Sequence, residues 1–171
     1  MPKQGLSEAP ENLLKLENQL CFMLYSASRK MTAAYRPLLS ELNITYPQYL
    51  VLMVLWEYFD ITASGDLDLL SSEIKKTGIK VGMLSSKLQL DNGTLTPLLK
   101  RMEQQGLLVR KRDEQDERVV RIYLTESGVS LRVRAGKIPE KILCDSGLTG
   151  DELKSIYSDL RGVLNKIPGI V

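Results

Sequence analysis

The stretch from residue 81 to residue 124 constrains the fold more than any other part of the chain. It begins with VGMLSSKL, which predicts a short helix, and continues with QLDNG, which predicts a turn where Gly93 takes a positive φ. A second helix, TLTPLLKRMEQQG, follows, and Gly106 is its stop signal. The segments LLVRKR and VVRIYL alternate apolar and polar residues around DEQDER, which predicts a β-hairpin with a charged tip. Helix, turn, helix and hairpin in this order are typical of a winged helix-turn-helix.

Helical patterns precede this unit. Residues 11–36 form one long pattern, and the pair Arg36 and Pro37 should end or kink the helix. The apolar face of this helix consists of Leu13, Leu16, Leu20, Leu24 and Ala27. A second helix begins at residues 45–48, where Pro47 is a start signal, and it is apolar nearly all round. Such a helix is predicted to be central and buried.

The remaining segments complete a mostly helical domain. Residues 60–78 are rich in Gly, Ser, Asp and Thr, which predicts a loop with a short helix near residues 67–76. Helix resumes at residues 125–128, is interrupted at Pro139 and begins again with the capping-box pattern TGDE at residues 149–152. The apolar residues of this last helix are Leu153, Ile156, Leu160, Val163, Leu164 and Ile167. We therefore predict a mostly α fold with a small β-hairpin wing.

The absence of histidine limits the chemistry that the chain can perform. The 171 residues include two cysteines and no histidine, which removes Ser-His-Asp and Cys-His catalysis and disfavours a closed zinc site. We expect no metal, no cofactor and no enzymatic activity. The net charge is only +2, so a DNA-binding surface has to come from local clusters of Lys and Arg.

Nothing in the sequence directs the chain to a membrane or to export. The opening segment MPKQGLSEAPENLLK is polar and does not resemble a signal peptide. The longest apolar stretch, near residues 49–56, is too short to span a bilayer. We therefore expect a cytoplasmic protein with no membrane partner, in which cysteines are catalytic, sensing or simply buried.

Polar and basic side chains cluster in the second helix of the unit and in the hairpin. An α-helix fits the major groove of DNA, and arginines of a hairpin tip suit the neighbouring minor groove. The DNA-contact candidates are Asp91, Asn92, Thr94, Thr96, Lys100, Arg101, Arg112, Asp116 and Arg118. We expect Asp116 to orient the guanidinium of Arg118. A simpler interpretation stays open, because a mixed-charge tip is usually a solvated turn and a Lys-Arg pair is usually an exposed helix face.

Two long stretches resemble the MarR family of bacterial transcriptional regulators. Residues 81–128, VGMLSSKLQLDNGTLTPLLKRMEQQGLLVRKRDEQDERVVRIYLTESG, resemble the DNA-binding unit of that family. The segment LENQLCFMLYSASRKMTAAYRPLLSELNITYPQYLVLMVLWE is similar to the start of its organic hydroperoxide resistance branch. The resemblance implies a winged-helix homodimer whose N- and C-terminal helices form the interface and whose wings straddle a pseudo-palindromic operator in double-stranded DNA.

The resemblance also divides the chain into three parts. Residues 1–46 are assigned to N-terminal dimerisation helices, residues 47–128 to the winged unit and residues 129–171 to C-terminal dimerisation helices. Residues 60–78 are interpreted as an insertion, because the connection between Trp56 and the helix-turn-helix is longer here than is usual in the family. We expect a surface elaboration or a contact with DNA or a partner.

Cys21 lies within the apolar pattern of the first helix, where a free cysteine is more often a small buried hydrophobe. Tyr25 follows one turn later, and Tyr35 and Tyr46 flank the bend between the first two helices. A phenol can donate a hydrogen bond to a thiolate. The resemblance implies that Cys21 senses peroxide by becoming a sulfenic acid, and that Tyr35 and Tyr46 hydrogen-bond its sulfur from the other subunit. Tyr25 is a third supporting candidate, with simple packing as its alternative.

Cys144, in KILCDSGLTGDEL, matches the resolving cysteine of the two-cysteine members of this branch. The resemblance implies a disulfide between Cys21 and Cys144 of the partner subunit, with a bystander cysteine as the alternative. A disulfide needs Cα atoms within about 7 Å, so closing it would move helices and change the spacing of the DNA-binding units. The implied function is a repressor that binds its operator when reduced and dissociates when an organic hydroperoxide oxidises Cys21.

Three other functions compete with this one. A regulator of the same fold could be released by a small phenolic ligand, with both cysteines incidental. A thiol peroxidase would use Cys21 as a nucleophile, although no Arg or Thr pattern that would activate it adjoins Cys21. A protein-interaction module would bind no duplex DNA, whereas a DNA binder loses affinity steeply as salt rises.

Overall fold

The computed structural model describes residues 14–59 and 78–167. The predicted loop and short helix within residues 60–77 lie outside the described residues. A 3₁₀ turn, Leu16–Asn18, opens the described chain. The helices that follow are α1 (Leu20–Ser40), α2 (Tyr46–Tyr58), α3 (Val81–Leu88), α4 (Asn92–Gln104), α5 (Glu126–Ala135), α6 (Ile138–Ser146) and α7 (Gly150–Lys166). The strands are β1 (Ile79–Lys80), β2 (Leu108–Arg112) and β3 (Val120–Leu124).

The predicted helix-turn-helix and hairpin are confirmed. Helices α3 and α4 are followed by an antiparallel pair in which Leu108 faces Leu124 and Arg112 faces Val120. Gly106 ends α4 as predicted, with a φ of 72° that a side chain would oppose. The predicted starts of α2 and α7 are confirmed as well, because the side chain of the third helical residue closes back on the main-chain N–H of Thr45 or Thr149.

Two details of the prediction are wrong. Among the described residues, the helix predicted over residues 11–36 begins only at Leu20, after the 3₁₀ turn, and it does not end at Arg36 and Pro37 but continues to Ser40, since the turn beyond Pro37 places Leu39 in the core at 1% exposure. Gly93 does not take the positive φ of the turn, because α4 already begins at Asn92. Gln89 adopts the left-handed conformation instead, with a φ of 52°, at the end of α3.

A third strand, which the sequence did not predict, extends the hairpin. Strand β1 pairs antiparallel with β3, with Ile79 opposite Ile122 and Lys80 opposite Arg121, so the sheet order is β1-β3-β2. Two residues are too few for a recognisable alternation of apolar and polar side chains. The strand matters because it fixes the start of α3 against the wing.

The core lies around α2, as its apolar composition predicted. Its fully buried side chains come from α2, from both helices of the helix-turn-helix and from the sheet. They include Val51, Leu52, Leu55, Ile79, Leu84, Leu95, Leu99, Met102, Leu108 and Ile122. Each such side chain removed from water contributes about 1.5–3 kcal/mol to folding. The helix-turn-helix and the wing therefore share one core with α2.

The terminal helices expose apolar side chains. None of the residues of α7 that the structure describes is buried, although Thr149 caps this helix well. The exposed apolar residues of the N- and C-terminal helices include Leu16, Leu20, Met23, Met31, Leu143, Ile156, Leu160, Leu164 and Ile167. A set of this size is unusual for a free surface. Within the described ranges, no helix combines the length and the apolar character needed to cross a membrane.

Candidate functional site

Helix α4 presents a polar face because its apolar face is held in the core. Leu95, Leu99 and Met102 are buried, which leaves the opposite side of the helix in solvent. Exposed positions on that side comprise Asn92, Thr94, Thr96, Lys100 and Arg101. The structure thus leaves each of these positions accessible, as a recognition helix requires, with Asn92 and Thr96 on the wing side of α4 and Arg101 on the side of the turn between α1 and α2.

Asp91 and Thr94 cap the start of α4. The Asp91 carboxylate accepts hydrogen bonds from the main-chain N–H of Thr94 at 2.8 Å and from its hydroxyl at 2.9 Å. These bonds, the main-chain one first, hold the pKa of Asp91 below its usual value. Both side chains therefore stabilise the helix start, and a contact with DNA stays a prediction for them.

A groove of about 630 Å³ separates the two helices of the helix-turn-helix from the wing. The predicted residues Asn92, Thr96 and Arg118 all line it. Lys80, which was not among the predicted residues, lines it as well, directly before α3. Its position ahead of VGMLSSKL is the signal that would have identified it. Helix, wing and basic side chains thus meet around one concave surface.

Ion pairs hold the wing in place. Arg110 of β2 donates to the Glu103 carboxylate of α4 through its main-chain N–H at 2.9 Å and through Nε at 2.8 Å. These bonds, the main-chain one first, keep the pKa of Glu103 low. Arg121 of β3 pairs with Asp113 and also donates from Nη1 to the Gly78 oxygen at 2.9 Å. The hairpin is therefore tied both to α4 and to the chain before β1.

The expected role of Asp116 is corrected. Its carboxylate accepts a hydrogen bond from the main-chain N–H of Arg118 at 3.0 Å, so it shapes the turn rather than orienting the guanidinium. A carboxylate two residues ahead reaches the nearer main-chain donor more readily. Arg112 donates from Nη1 to the Glu117 oxygen at 3.5 Å. Arg112, Asp116 and Arg118 are all exposed at the tip.

Both cysteines are free and exposed within this single chain. Cys21 is the second residue of α1, and Cys144 lies in the last turn of α6. The simple interpretation of Cys21 as a buried hydrophobe does not hold for the isolated chain. Because Tyr35 follows Cys21 by fourteen residues on the same helix, about 21 Å of helix rise separates them. The structure therefore does not bring Cys21 together with Tyr35 of its own chain.

The phenols of Tyr35 and Tyr46 form the centre of an aromatic cluster. Their ring centroids lie 5.0 Å apart with edge-to-face geometry, and Tyr49 lies 6.0 Å from Tyr35. Burial is the main cause that raises the pKa of Tyr35, Tyr46 and Tyr49, and Tyr157 of α7 adds to it for the first two. These phenols stay protonated and able to donate hydrogen bonds. Tyr49 and Tyr157 were not among the predicted residues.

Tyr25 lies apart from this cluster. Its hydroxyl accepts a hydrogen bond from Arg29 Nη1 at 3.2 Å, and the Arg29 guanidinium lies 5.6 Å from its ring centroid. Tyr25 is therefore held one turn from Cys21 on α1. No group of three or more Cys, Asp or Glu side chains suited to a metal ion occurs in residues 14–59 and 78–167.

Comparison with known proteins agrees with this architecture. The sequence model of the family described as transcriptional regulator SarA/Rot matches residues 33–133. The organic hydroperoxide resistance transcriptional regulator of Bacillus subtilis (strain 168) is 51% identical over 154 residues, covering 90% of this chain and 92% of that protein.

Several solved structures with this fold are of AbfR, a protein of Staphylococcus epidermidis. Reduced AbfR bound to DNA superposes with a TM-score of 0.64 at 32% identity, covering 92% of this chain and 97% of that one. Disulfide-formed AbfR superposes with a TM-score of 0.55 at 32% identity, covering 91% and 93%. With its winged helix-turn-helix, the chain belongs to the organic hydroperoxide resistance regulators of the MarR type, and it is a transcriptional regulator rather than an enzyme.

Proposed function

We propose that this chain is a homodimeric, peroxide-sensing repressor that binds operator DNA when reduced and dissociates when an organic hydroperoxide oxidises Cys21. One observation carries the proposal: the exposed thiol of Cys21 and the protonated phenol of Tyr35 lie on one helix but about 21 Å apart, and Tyr46 packs on Tyr35 from α2. A second copy whose α1 runs antiparallel would bring Cys21 of each subunit to Tyr35 and Tyr46 of the other.

The exposed apolar residues of the terminal helices support such a dimer. Residues 1–46 and 129–171 are proposed as the dimerisation parts, because Leu20 and Met23 flank Cys21 and because α7 buries nothing in the single chain. A symmetric dimer would cover the same patch on both copies. Cys21 lies within that patch, so its partners come from the second copy.

The proposed redox chemistry consumes one hydroperoxide for two thiols. The Cys21 thiolate attacks the terminal peroxide oxygen, the O–O bond breaks, and the alkoxide leaves and takes a proton to become an alcohol. Cys21 is then a sulfenic acid. The thiolate of Cys144 of the partner subunit attacks that sulfur, a disulfide forms, and hydroxide leaves as water. The hydroperoxide is reduced and the two thiols are oxidised.

DNA recognition is assigned to the concave surface between α4 and the wing. Asn92, Thr96, Lys100 and Arg101 would face base edges and phosphates in the major groove, and Arg112 and Arg118 would reach the minor groove. The partner is expected to be a pseudo-palindromic operator, because a two-fold dimer presents two copies of this surface. The DNA complex of reduced AbfR supports this assignment.

The test measures DNA affinity before and after oxidation. A duplex is first selected from a random-sequence library with reduced wild-type protein, and its affinity is then measured with and without tert-butyl hydroperoxide. We expect peroxide to lower the affinity of wild-type protein about a hundredfold, equivalent to about 3 kcal/mol. Cys21→Ser should stay bound, and Cys144→Ser should lose the covalent dimer on non-reducing electrophoresis. Release of Cys21→Ser by peroxide would refute the mechanism.

One observation favours a second candidate, release by a small organic anion. A cavity of about 300 Å³ is lined by Tyr49, Met53, Trp56 and Arg132, and the Arg132 guanidinium lies 5.9 Å from the Trp56 ring centroid. An arginine beside aromatic walls suits an aromatic carboxylate. Under this alternative, benzoate would release DNA from wild-type and Cys21→Ser protein alike, and Arg132→Ala would abolish the effect.

A further inference from the structure

Gln48 combines deep burial with a polar side chain. It is 3% exposed and is the single buried polar or charged residue among those that the structure describes. Its side-chain oxygen accepts hydrogen bonds from the N–H of Thr45 at 2.8 Å and from the Thr45 hydroxyl at 3.2 Å. Its Nε2 donates to Oε1 of Gln105 at 2.6 Å, across fifty-seven residues of sequence. A buried amide is therefore satisfied by one local and one distant partner.

Gln105 stands at the end of the recognition helix. It is the residue that directly follows α4, and its main-chain N–H still donates to the Arg101 oxygen at 3.0 Å. Its side-chain Nε2 donates to the main-chain oxygen of Asn43 at 3.3 Å, in the turn between α1 and α2. Asn43 has a φ of 55°, which fixes the direction of that turn. Gln105 thus contacts α2 and the turn before it at once.

A groove of about 570 Å³ runs between the α1–α2 turn and the C-terminal half of α4, and both glutamines line it. The Gln48–Gln105 hydrogen bond bridges this groove. Tyr46, whose ring packs on Tyr35, precedes Gln48 by two residues in the first turn of α2. Tyr46 and Gln48 thus share the first turn of α2, which places the Gln48 amide directly beside the tyrosine cluster in the chain.

We infer that Gln48 and Gln105 form a positioning contact that couples the tyrosine cluster of Tyr35, Tyr46 and Tyr49 to the recognition helix. The inference rests on the proposed function. When oxidation of the thiol moves Tyr46, the Gln48 amide pulls on the C-terminal end of α4 through its hydrogen bond to Gln105. Because Gln48 is only 3% exposed, its amide has little access to water that could replace this acceptor. The contact therefore transmits the movement instead of dissipating it.

The test compares variants that keep or remove the acceptor. Gln105→Met has a side chain of similar length and no acceptor for Gln48 Nε2, whereas Gln105→Glu keeps a carboxylate oxygen there. Gln105→Ser breaks the same contact by shortening the side chain. Gln104→Met is the matched control, because Gln104 lines the same groove and its side chain makes no hydrogen bond among the described residues. Gln105 is exposed, so each variant is expected to fold.

The readout is the ratio of DNA affinities of the reduced and the peroxide-treated protein, with the selected duplex as probe. In Gln105→Met and Gln105→Ser, reduced affinity should stay within about threefold of wild type, while the loss on oxidation shrinks by about tenfold, a typical allosteric coupling. Gln105→Glu and Gln104→Met should switch as wild type does. Covalent dimer formation, measured by non-reducing electrophoresis, should be equal in all of them.

Three results would overturn the inference. Gln105→Met could release DNA as completely as wild type, it could lose reduced and oxidised affinity equally, or Gln105→Glu could fail to restore switching. Each of these leaves the proposed function intact if wild-type protein is released by peroxide. If wild-type protein itself is not released, the proposed function fails, and the inference falls with it.

Discussion

The indole N–H of Trp56 on α2 donates a buried hydrogen bond to the main-chain oxygen of Gly128 on α5, 2.9 Å away. This bond joins the central helix to the helix that follows the wing, across seventy-two residues of sequence. Trp56 is 4% exposed, so water cannot readily replace the indole as the donor. This hydrogen bond therefore holds α5 against α2 through a single side chain.

Replacing Trp56 by Phe should destabilise the fold. Trp56→Phe keeps an aromatic ring but removes the N–H, which leaves the Gly128 oxygen short of a donor at a cost of about 1–3 kcal/mol. The free energy of unfolding in urea would be compared with that of wild type at one fixed protein concentration, since the stability of the proposed dimer depends on concentration. An unchanged free energy would mean that the bond contributes nothing.

Gly128 itself should tolerate no side chain. A Cβ at this position would lie 2.1 Å from the main-chain oxygen of Leu107 and 2.9 Å from Leu124, so Gly128→Ala forces the backbone apart. We expect a loss of at least about 3 kcal/mol or failure to fold, as in severe overpacking. Gly82→Ala is the matched control, because a Cβ at Gly82 meets nothing within 4 Å and adds helix propensity. Equal free energies of unfolding for Gly128→Ala and Gly82→Ala would contradict the close packing around Gly128.

Arg118→Ala should weaken binding to the selected duplex by about 1–3 kcal/mol, as loss of a specific groove contact does. The side chain lies in the groove between α4 and the wing, where no acidic partner neutralises it among the described residues. Affinity would be measured by fluorescence anisotropy over a range of salt concentrations. Arg161→Ala is the control. It removes the same charge from α7, from a residue that does not line this groove, and it should bind DNA as wild type does. Similar losses of DNA affinity in both variants would mean that Arg118 acts only through its contribution to the net charge.

Acid should weaken the wing through Asp113. The hydrogen bond from Arg121, followed by main-chain bonds, holds the pKa of Asp113 below its ordinary value of 3.8. The stabilisation by this carboxylate is therefore present above pH 3.8 and is lost as pH falls through the lower folded value. Asp113→Asn should have a flatter acid profile in urea unfolding at several pH values, whereas Glu114→Gln, which keeps the pair with Arg121, should follow wild type. Identical acid profiles for wild type, Asp113→Asn and Glu114→Gln would contradict this role of Asp113.

Alkali should weaken the aromatic cluster of Tyr35 and Tyr46. Burial raises the pKa of both phenols above 10.0, so the folded chain keeps these protons longer than the unfolded chain does. The contribution of these protonated phenols to stability is complete below pH 10, and it is lost as pH rises through their pKa values in the folded chain. Titration followed by phenolate absorbance should show a late component that shrinks in Tyr35→Phe and in Tyr46→Phe. A wild-type titration centred at the ordinary value would contradict the burial.

Most of the fold could be predicted because its signals are local. The run VGMLSSKL, the stop at Gly106 and the alternation on either side of DEQDER depend on neighbouring residues alone, and the helix and hairpin boundaries follow them closely. One error arose where burial in the core decides the outcome, and the other where a local cap competes with the turn. Burial of Leu39 in the core carries α1 past Pro37, and the cap made by Asp91 shifts the turn so that Gln89, not Gly93, takes the positive φ.

The candidate site was less predictable, because contacts between residues distant in sequence assemble most of it. Periodicity indicated the exposed face of α4, but the meeting of Lys80 with Arg118 depends on β1, which is two residues long. The link between Gln48 and Gln105 has no sequence signal at all, because fifty-seven residues separate its ends. Which partner a carboxylate chooses was also beyond the sequence, as Asp116 and the main chain of Arg118 demonstrate.

The short strand β1 has a consequence for how such a regulator discriminates between operators. Pairing of Ile79 with Ile122, together with the bonds from Arg121 to Gly78 and from Arg110 to Glu103, fastens the hairpin to both neighbouring helices. The hairpin, α3 and α4 must then rotate together as one rigid block. Under the proposed function, oxidation would alter the distance between the blocks of two subunits rather than the shape of either. Sensitivity to oxidation is thus expected to depend on the number of base pairs between half-sites, and not on the bases within them.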